Sequence, residues 1–238
     1  VTGRPEPTQV VVLAGGAATR LGALARHTPK ILQPIGNRTF LDLMVEPLVQ
    51  QGFRRFHFCI GHLGEQVTQH LDEHFGHLTT TVHHDPVQRG TAGALRSSRG
   101  LLDETFVLQL GDTYLPADYK QLVTYWRRTR STTLLVTSAS CGVRPNIELD
   151  GERVARYDKV NGIPGGWVDA GAAVVERAEL GLLDDLEDPI DLSVLYERLI
   201  ARGSLGALAT ELPFWDIGTP ESYARFAATV RTSGAGPC

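Results

Sequence analysis

Two glycines, an arginine and a lysine near the start of the chain have the types and spacing to hold an anion. Gly15 and Gly16 let the backbone approach a ligand and turn its N–H groups toward a phosphate. Arg20 adds a planar fork for phosphate oxygens, and Lys30 adds a mobile point charge behind the stiff Pro29. The glycine pair by itself also fits a tight turn after a strand. Two familiar phosphate loops do not fit. The lysine lies too far from the glycines for GxxxxGKS/T, and Gly-Gly-Ala-Ala-Thr-Arg breaks GxGxxG.

Two aspartates stand at the ends of expected strands. Asp112 follows Gly111 at the end of an apolar run, and Asp216 stands in Phe214-Trp-Asp-Ile-Gly-Thr-Pro220. An acid at the carboxyl end of a buried strand lies where open α/β sheets bind ligands, although an Asx turn would also use it. His83 and His84 are adjacent on an expected strand and point to opposite faces, which argues against a shared ion.

The elements that must position these groups alternate in type. Residues 9–13 form a continuous apolar run that ends in Gly-Gly, as expected of a parallel strand buried on both faces. Further strands are expected at 55–60, 79–83, 106–110 and 132–138. Helices are expected at 40–51, 64–75, 91–102 and 117–128. Thr39 would cap the first helix and Gly52 stop it, while Pro47 predicts a kink or a late start. Repeated βα units imply a mostly parallel sheet with helices on both faces. After residue 140 the pattern changes. A hairpin over 147–154 turns at Asp150-Gly151, a strand covers 167–175 and a helix 192–201. Thr219 and Pro220 then open a last helix. Residues 233–238 read as a frayed tail.

Bulk properties narrow the function classes. With 238 residues the chain suits one large α/β domain or two small ones. A net charge of -4 and no Lys/Arg run exclude a basic footprint for nucleic acid or an anionic membrane. An anionic small substrate must therefore be met by a few local cations. Cys59, Cys141 and Cys238 are far apart and read as free thiols of a reducing compartment. The first residues show no apolar stretch of the signal-peptide kind, and no run is long enough to span a bilayer. The expected location is cytoplasmic, and a homo-oligomer is compatible with the sequence.

The full string Leu13-Ala-Gly-Gly-Ala-Ala-Thr-Arg-Leu21, followed by Pro29-Lys30, resembles the sugar-1-phosphate nucleotidyltransferase signature LAGGxGTRLxPxTxxxPK. Ala18 stands where that family usually has glycine, and Gly22-Ala23 replaces x-Pro. The resemblance extends from Val10 to about Phe226. It favours the short members that include heptose 1-phosphate and mannose 1-phosphate guanylyltransferases, with N-acetylmuramate 1-phosphate uridylyltransferases as near relatives.

The resemblance implies a Rossmann-like three-layer α/β fold with a mostly parallel mixed sheet and a small β-rich acceptor portion. One domain over 1–238 is expected, with a nucleotide half at about 9–140 and a sugar-phosphate half at about 141–231. It further implies an NTP and a sugar 1-phosphate as partners, and Mg²⁺ on Asp112 and Asp216. Arg20, Lys30 and Asp112 would be catalytic. Leu13, Ala14, Gly15, Gly16, Thr19, Asp85, Gly90, Thr91 and Gly111 would surround the nucleotide. Asp85 falls where longer relatives have glutamine, and a carboxylate acceptor matches the guanine edge, which favours GTP. Asp158, Lys159, Asp169 and Gly171 would hold the sugar phosphate, in segments similar to the family's EKP and NAG strings. By itself Lys159 also fits a solvated surface lysine. The alternatives are a UTP-, ATP- or CTP-using enzyme, and a related subunit that binds nucleotide without chemistry. A dinucleotide oxidoreductase lacks its GxGxxG.

Overall fold

The computed structural model describes residues 6–16, 18–139 and 142–233. Ala17, Cys141, Cys238 and the tail residues 234–238 lie outside the described residues. In chain order the strands and helices are β1 (Gln9–Ala14), β2 (Pro34–Ile35), β3 (Arg38–Thr39), α1 (Phe40–Gln50), β4 (Arg55–Ile60), α2 (Gly64–Phe75), β5 (Thr79–His84), α3 (Gly90–Ser97), β6 (Thr105–Leu110), β7 (Thr113–Tyr114), α4 (Tyr119–Thr129) and β8 (Thr132–Thr137). The second half adds β9 (Ile147–Asp150), β10 (Arg153–Tyr157), β11 (Val168–Glu176), α5 (Leu192–Ala201), β12 (Leu205–Thr210), β13 (Trp215–Asp216) and α6 (Pro220–Ser233).

Nine strands form one sheet in the order β5-β4-β1-β6-β11-β8-β12-β10-β9. β5, β4, β1 and β6 are parallel. β11 runs antiparallel between β6 and β8. β12 is parallel to β8, and the β9–β10 hairpin closes that side. Alternate residues of β1 enter opposite layers. Val10 and Val12 pack with Leu48 of α1, Leu71 of α2, Trp126 of α4 and Phe226 of α6. Val11 and Leu13 pack with Leu95 of α3 and Leu195 and Leu199 of α5. This is the three-layer mixed α/β architecture expected from the sequence, with both sheet faces covered.

Local chemistry explains the helix boundaries. α1 starts at Phe40 with Thr39 as its cap, as expected, and Pro47 does not delay it, because Thr39 and Asp42 form a reciprocal capping box that fixes its first turn. α3 stops at Ser97 rather than continuing to 102. Ser97 and Ser98 hydroxyls bond the Ala94 carbonyl, and Arg99–Leu101 tightens into a 3₁₀ turn. α4 begins at Tyr119 because Asp118 accepts from the amides of Lys120 and Gln121. Among the described residues, no helix is long and apolar enough to cross a membrane.

One buried base sits inside this sheet. His57 on β4 is fully buried, and its Nδ1 lies 2.8 Å from Thr81 Oγ1 on β5. Burial pushes its imidazole down to about 4, with nearby His83 adding to the effect. A depressed folded value means that the unfolded chain takes the proton first. Stability is therefore expected to fall as pH drops from about 6.5 to about 4. The loss attributable to this group is roughly 3 kcal/mol. Urea unfolding across this range measures it, and a His57→Gln chain should lose correspondingly less.

Candidate active site

The candidate site forms where strand ends meet. β1 and β6 are parallel neighbours, and the Gly111 amide donates to the Leu13 carbonyl at 2.9 Å. The loop carrying Gly15 and Gly16 therefore leaves the sheet beside Asp112. Because β11 is antiparallel to β6, it starts at the same edge and brings Asp169 there. The short β7–β13 ladder pairs Asp216 with Thr113, and the Ile217 amide donates to the Asp112 carbonyl at 2.9 Å. Residues from distant parts of the chain thus share one cleft of about 440 Å³.

The phosphate-loop end of the cleft includes Gly16, Arg20, Lys30, Asp112 and Asp216. Lys30 Nζ donates to Asp112 Oδ2 at 2.9 Å, and both side chains are largely buried. Asp216 Oδ1 accepts from the Gly218 amide at 2.7 Å and from Ser222 Oγ at 2.9 Å. A Cβ on Gly218 would lie 3.4 Å from Arg20 Nη2 and 3.0 Å from Asp216 Oδ1, so glycine leaves both groups their room. Hydrogen bonds from the described residues fall on Oδ2 of Asp112 and Oδ1 of Asp216. The remaining carboxylate oxygens are hard donors of the kind that suits Mg²⁺.

The other end carries Lys159, Asp169, Tyr157, Asn146, Arg144 and Asp191. Asp169 is held by the Gly171 amide at 2.9 Å on Oδ1 and by Tyr157 Oη at 3.2 Å on Oδ2. Burial raises its carboxyl above the ordinary value, against the lowering effect of those two donors. Lys159 Nζ donates to Asp191 Oδ2 at 2.9 Å. Burial would raise the Asp191 carboxyl, but the Ser193 amide and Lys159 together hold it below the ordinary range.

Leu13, Ala14, Thr91 and Gly111 also line this cleft, as expected of nucleotide-binding residues. Other sequence expectations are placed differently. Gly15 and Asp85 line a neighbouring hollow of about 640 Å³ with His62, Leu63, Val87 and Gln88. The Asp85 carboxylate is already engaged: Arg89 Nε donates to Oδ1 at 2.7 Å and Ser97 Oγ to Oδ2 at 3.0 Å, with His83 Nε2 at 3.3 Å. One hydrogen bond already falls on each carboxylate oxygen, which weakens its expected part in reading guanine. Asp158 is absent from the cleft lining. Its oxygens accept from the Asn161 amide at 2.8 Å and Arg156 Nη2 at 2.7 Å, so it shapes the turn that presents Lys159. Thr19, Gly90 and Gly171 also lie outside both linings.

Sequence reasoning missed Arg144, Asn146 and Asp191. Only Asp191 carried a signal, as an acid just before a helical pattern, and that signal reads as a helix cap.

Similarity to known proteins agrees with this geometry. The nucleotidyl transferase family model matches residues 9–148, more than half of the chain. The chain belongs to the nucleotidyl transferase family. The match of this nucleotidyl transferase includes the glycine loop, Lys30 and Asp112, while Lys159, Asp169 and Asp216 fall beyond it. The chain is 29% identical over 149 residues to a UTP–glucose-1-phosphate uridylyltransferase, AglF, of Haloferax volcanii, over 63% of this chain and 58% of that protein. It is 27% identical over 115 residues to a D-glycero-α-D-manno-heptose 1-phosphate guanylyltransferase of Campylobacter jejuni, over 48% of this chain and 52% of that one. The chain thus spans little more than half the length of these relatives. The crystal structure of HddC from Yersinia pseudotuberculosis superposes with a TM-score of 0.78 at 22% identity, covering 92% of this chain and 98% of that one. At that identity the likeness shows the fold.

The nucleotidyl transferase loop contains one strained residue. Ala18 has φ 51 and ψ 32, the left-handed region that its Cβ disfavours. An alanine thus stands in a backbone conformation that glycine adopts without strain. An Ala18→Gly chain should gain about 0.5–1 kcal/mol, the difference between relieved strain and the greater unfolded freedom of glycine. Urea unfolding checks this, and a less stable variant would show that the loop holds Ala18 without strain.

Proposed function

We propose that the chain transfers a nucleotidyl group from a nucleoside triphosphate to a sugar 1-phosphate, giving an NDP-sugar and pyrophosphate. The observation that carries this reading is one cleft with two separate cation centres. Arg20 and Lys30 stand beside the glycine loop, and Lys159 and Arg144 stand at the other end with the polar side chains of Asn146, Tyr157 and Asp191. A single phosphate ligand would need only the first centre. Two phosphorylated substrates brought together need both.

In the proposed reaction an oxygen of the sugar phosphate attacks the α-phosphorus. The new P–O bond forms as the α–β bridging bond breaks, and its electron pair leaves with pyrophosphate. The nucleophile is already an anion, so the residues need to position and neutralise rather than abstract a proton. Arg20 would hold the leaving pyrophosphate with its planar fork, and Lys30 would turn from Asp112 to phosphate oxygens. Lys159 would orient the acceptor phosphate. Asp112 and Asp216 would hold Mg²⁺. The ion would supply charge neutralisation at the phosphates. Among the described residues no group of three His, Cys, Asp or Glu is arranged around a metal position. A Mg²⁺ that takes its other ligands from phosphates and water fits that arrangement.

GTP is the proposed donor because the Campylobacter relative is named for guanylyl transfer. UTP is the competing choice, because the Haloferax relative is named for uridylyl transfer. A heptose or hexose 1-phosphate is the proposed acceptor.

Pyrophosphate release with Mg²⁺ and each common NTP, against mannose, glucose, N-acetylmuramic acid and heptose 1-phosphates, tests the reaction and both substrates together. Turnover is expected with GTP, and a clear preference for another NTP would sink the GTP assignment. Binding of nucleotide with no pyrophosphate release would favour a regulatory subunit. Lys30→Ala and Asp112→Asn should each lower turnover on the order of 100-fold with the far-UV circular dichroism unchanged. Near-normal turnover in either would remove that residue from the chemistry.

A further inference from the structure

The nucleotide loop and Lys159 are joined through one short segment, residues 188–192. Its backbone is stitched to the loop: the Ile190 amide donates to the Arg89 carbonyl at 2.8 Å, and the Ala92 amide donates to the Ile190 carbonyl at 2.9 Å. The Leu192 amide donates to Thr91 Oγ1 at 2.7 Å. Gly90, at φ 73, makes the approach feasible, since a Cβ there would lie 2.3 Å from the Ile190 carbonyl oxygen. Side chains repeat the connection. Arg89 bridges Asp85 and Asp188 at 2.7 Å each, and Arg96 reaches Asp188 at 2.8 Å.

Asp191 stands in the middle of this segment. Its Oδ1 caps α5 by accepting from the Ser193 amide at 3.0 Å, and its Oδ2 holds Lys159 at 2.9 Å. Lys159 and Asp191 are 57% and 44% exposed, so their pair adds little to stability. What it does supply is direction, because it fixes an otherwise mobile lysine within the cleft.

We propose that residues 188–192 carry the state of the nucleotide loop to Lys159, with Asp191 as the positioning residue for that lysine. The proposal rests on the transferase reading above. Loop 85–92 cannot shift without moving Ile190 and Leu192, and Asp191 moves with them. A bound nucleotide that orders the loop therefore also orders the group that meets the acceptor phosphate.

Two measurements test it. Hydrogen–deuterium exchange at the Ile190 and Leu192 amides is expected to slow severalfold on adding GTP with Mg²⁺, or UTP with Mg²⁺ in a parallel run. Unchanged exchange under a nucleotide shown by titration to bind overturns the coupling, and a chain that binds none of GTP, UTP, ATP, CTP and dTTP overturns both readings. The second measurement uses Asp191→Asn, since asparagine caps helices as well as aspartate and should leave Tm unchanged. With the sugar 1-phosphate that the wild-type chain turns over fastest, KM for that sugar should rise on the order of tenfold, while KM for the nucleotide moves less than twofold. Turnover with an unaltered sugar KM overturns the role of Asp191 and leaves the transferase reading standing.

Discussion

Lys30 and Asp112 meet at 2.9 Å in a largely buried setting, and the phosphate end of the cleft is organised around that contact. A site meant for several phosphate charges must gather cations that repel one another when no phosphate is present. Pairing the two lysines with carboxylates eases this, and the partly dry cleft makes the Lys30 pair stronger than one on the surface. Lys159 and Asp191 repeat the arrangement at the acceptor end in a wetter setting. Each lysine then has one partner before a phosphate arrives and can exchange it for another afterwards. The glycine loop, the ends of β1 and β6 and the β7–β13 ladder all converge on the first pair.

The strand direction of β11 gathers the residues of both ends of the cleft on one edge of a single sheet. Ligands of parallel sheets gather at carboxyl strand ends. The glycine loop and Asp112 obey that rule, since Gly15, Gly16 and Asp112 follow β1 and β6. Asp169 instead lies at the start of its strand, and only the reversal of β11 brings it to the same edge. The register shift between Asp169 and Ala173 then lets Asp169 bond the Gly171 amide and Tyr157.

Much of this was legible in the sequence because it is written locally. The apolar run of β1, the Val67, Leu71 and Phe75 face of α2, the Asp150-Gly151 turn and the Thr219-Pro220 start of α6 each depend on neighbours in the chain. Lys30, Asp112, Lys159 and Asp216 stand out in the sequence through their strings, and all four line one cleft. What escaped depends on distant partners. The direction of β11 cannot be read from its own residues. The Asp85 carboxylate looks available until Arg89 and Ser97 are placed against it. Asp158 and Asp191 are both acids near turns, and only the fold shows that the first shapes a loop while the second faces Lys159. α3 ends early where the chain tightens into the 3₁₀ turn at Arg99–Leu101, a local change that a hydrophobic pattern does not register.

The insertion of β11 between β6 and β8 also bears on how this architecture can be cut and recombined. β8 belongs to the first half of the chain by position, yet its sheet partners are β11 and β12 from the second. A break near residue 140 would leave β6 and β8 with facing unpaired edges, the kind of exposed ladder that recruits foreign strands. The two halves are interlocked like the teeth of a comb rather than strung like beads. Exchange of acceptor preference among relatives by swapping whole segments would then have to carry β8 along with β11, and drift in single residues such as Arg144 and Asn146 offers the less disruptive route.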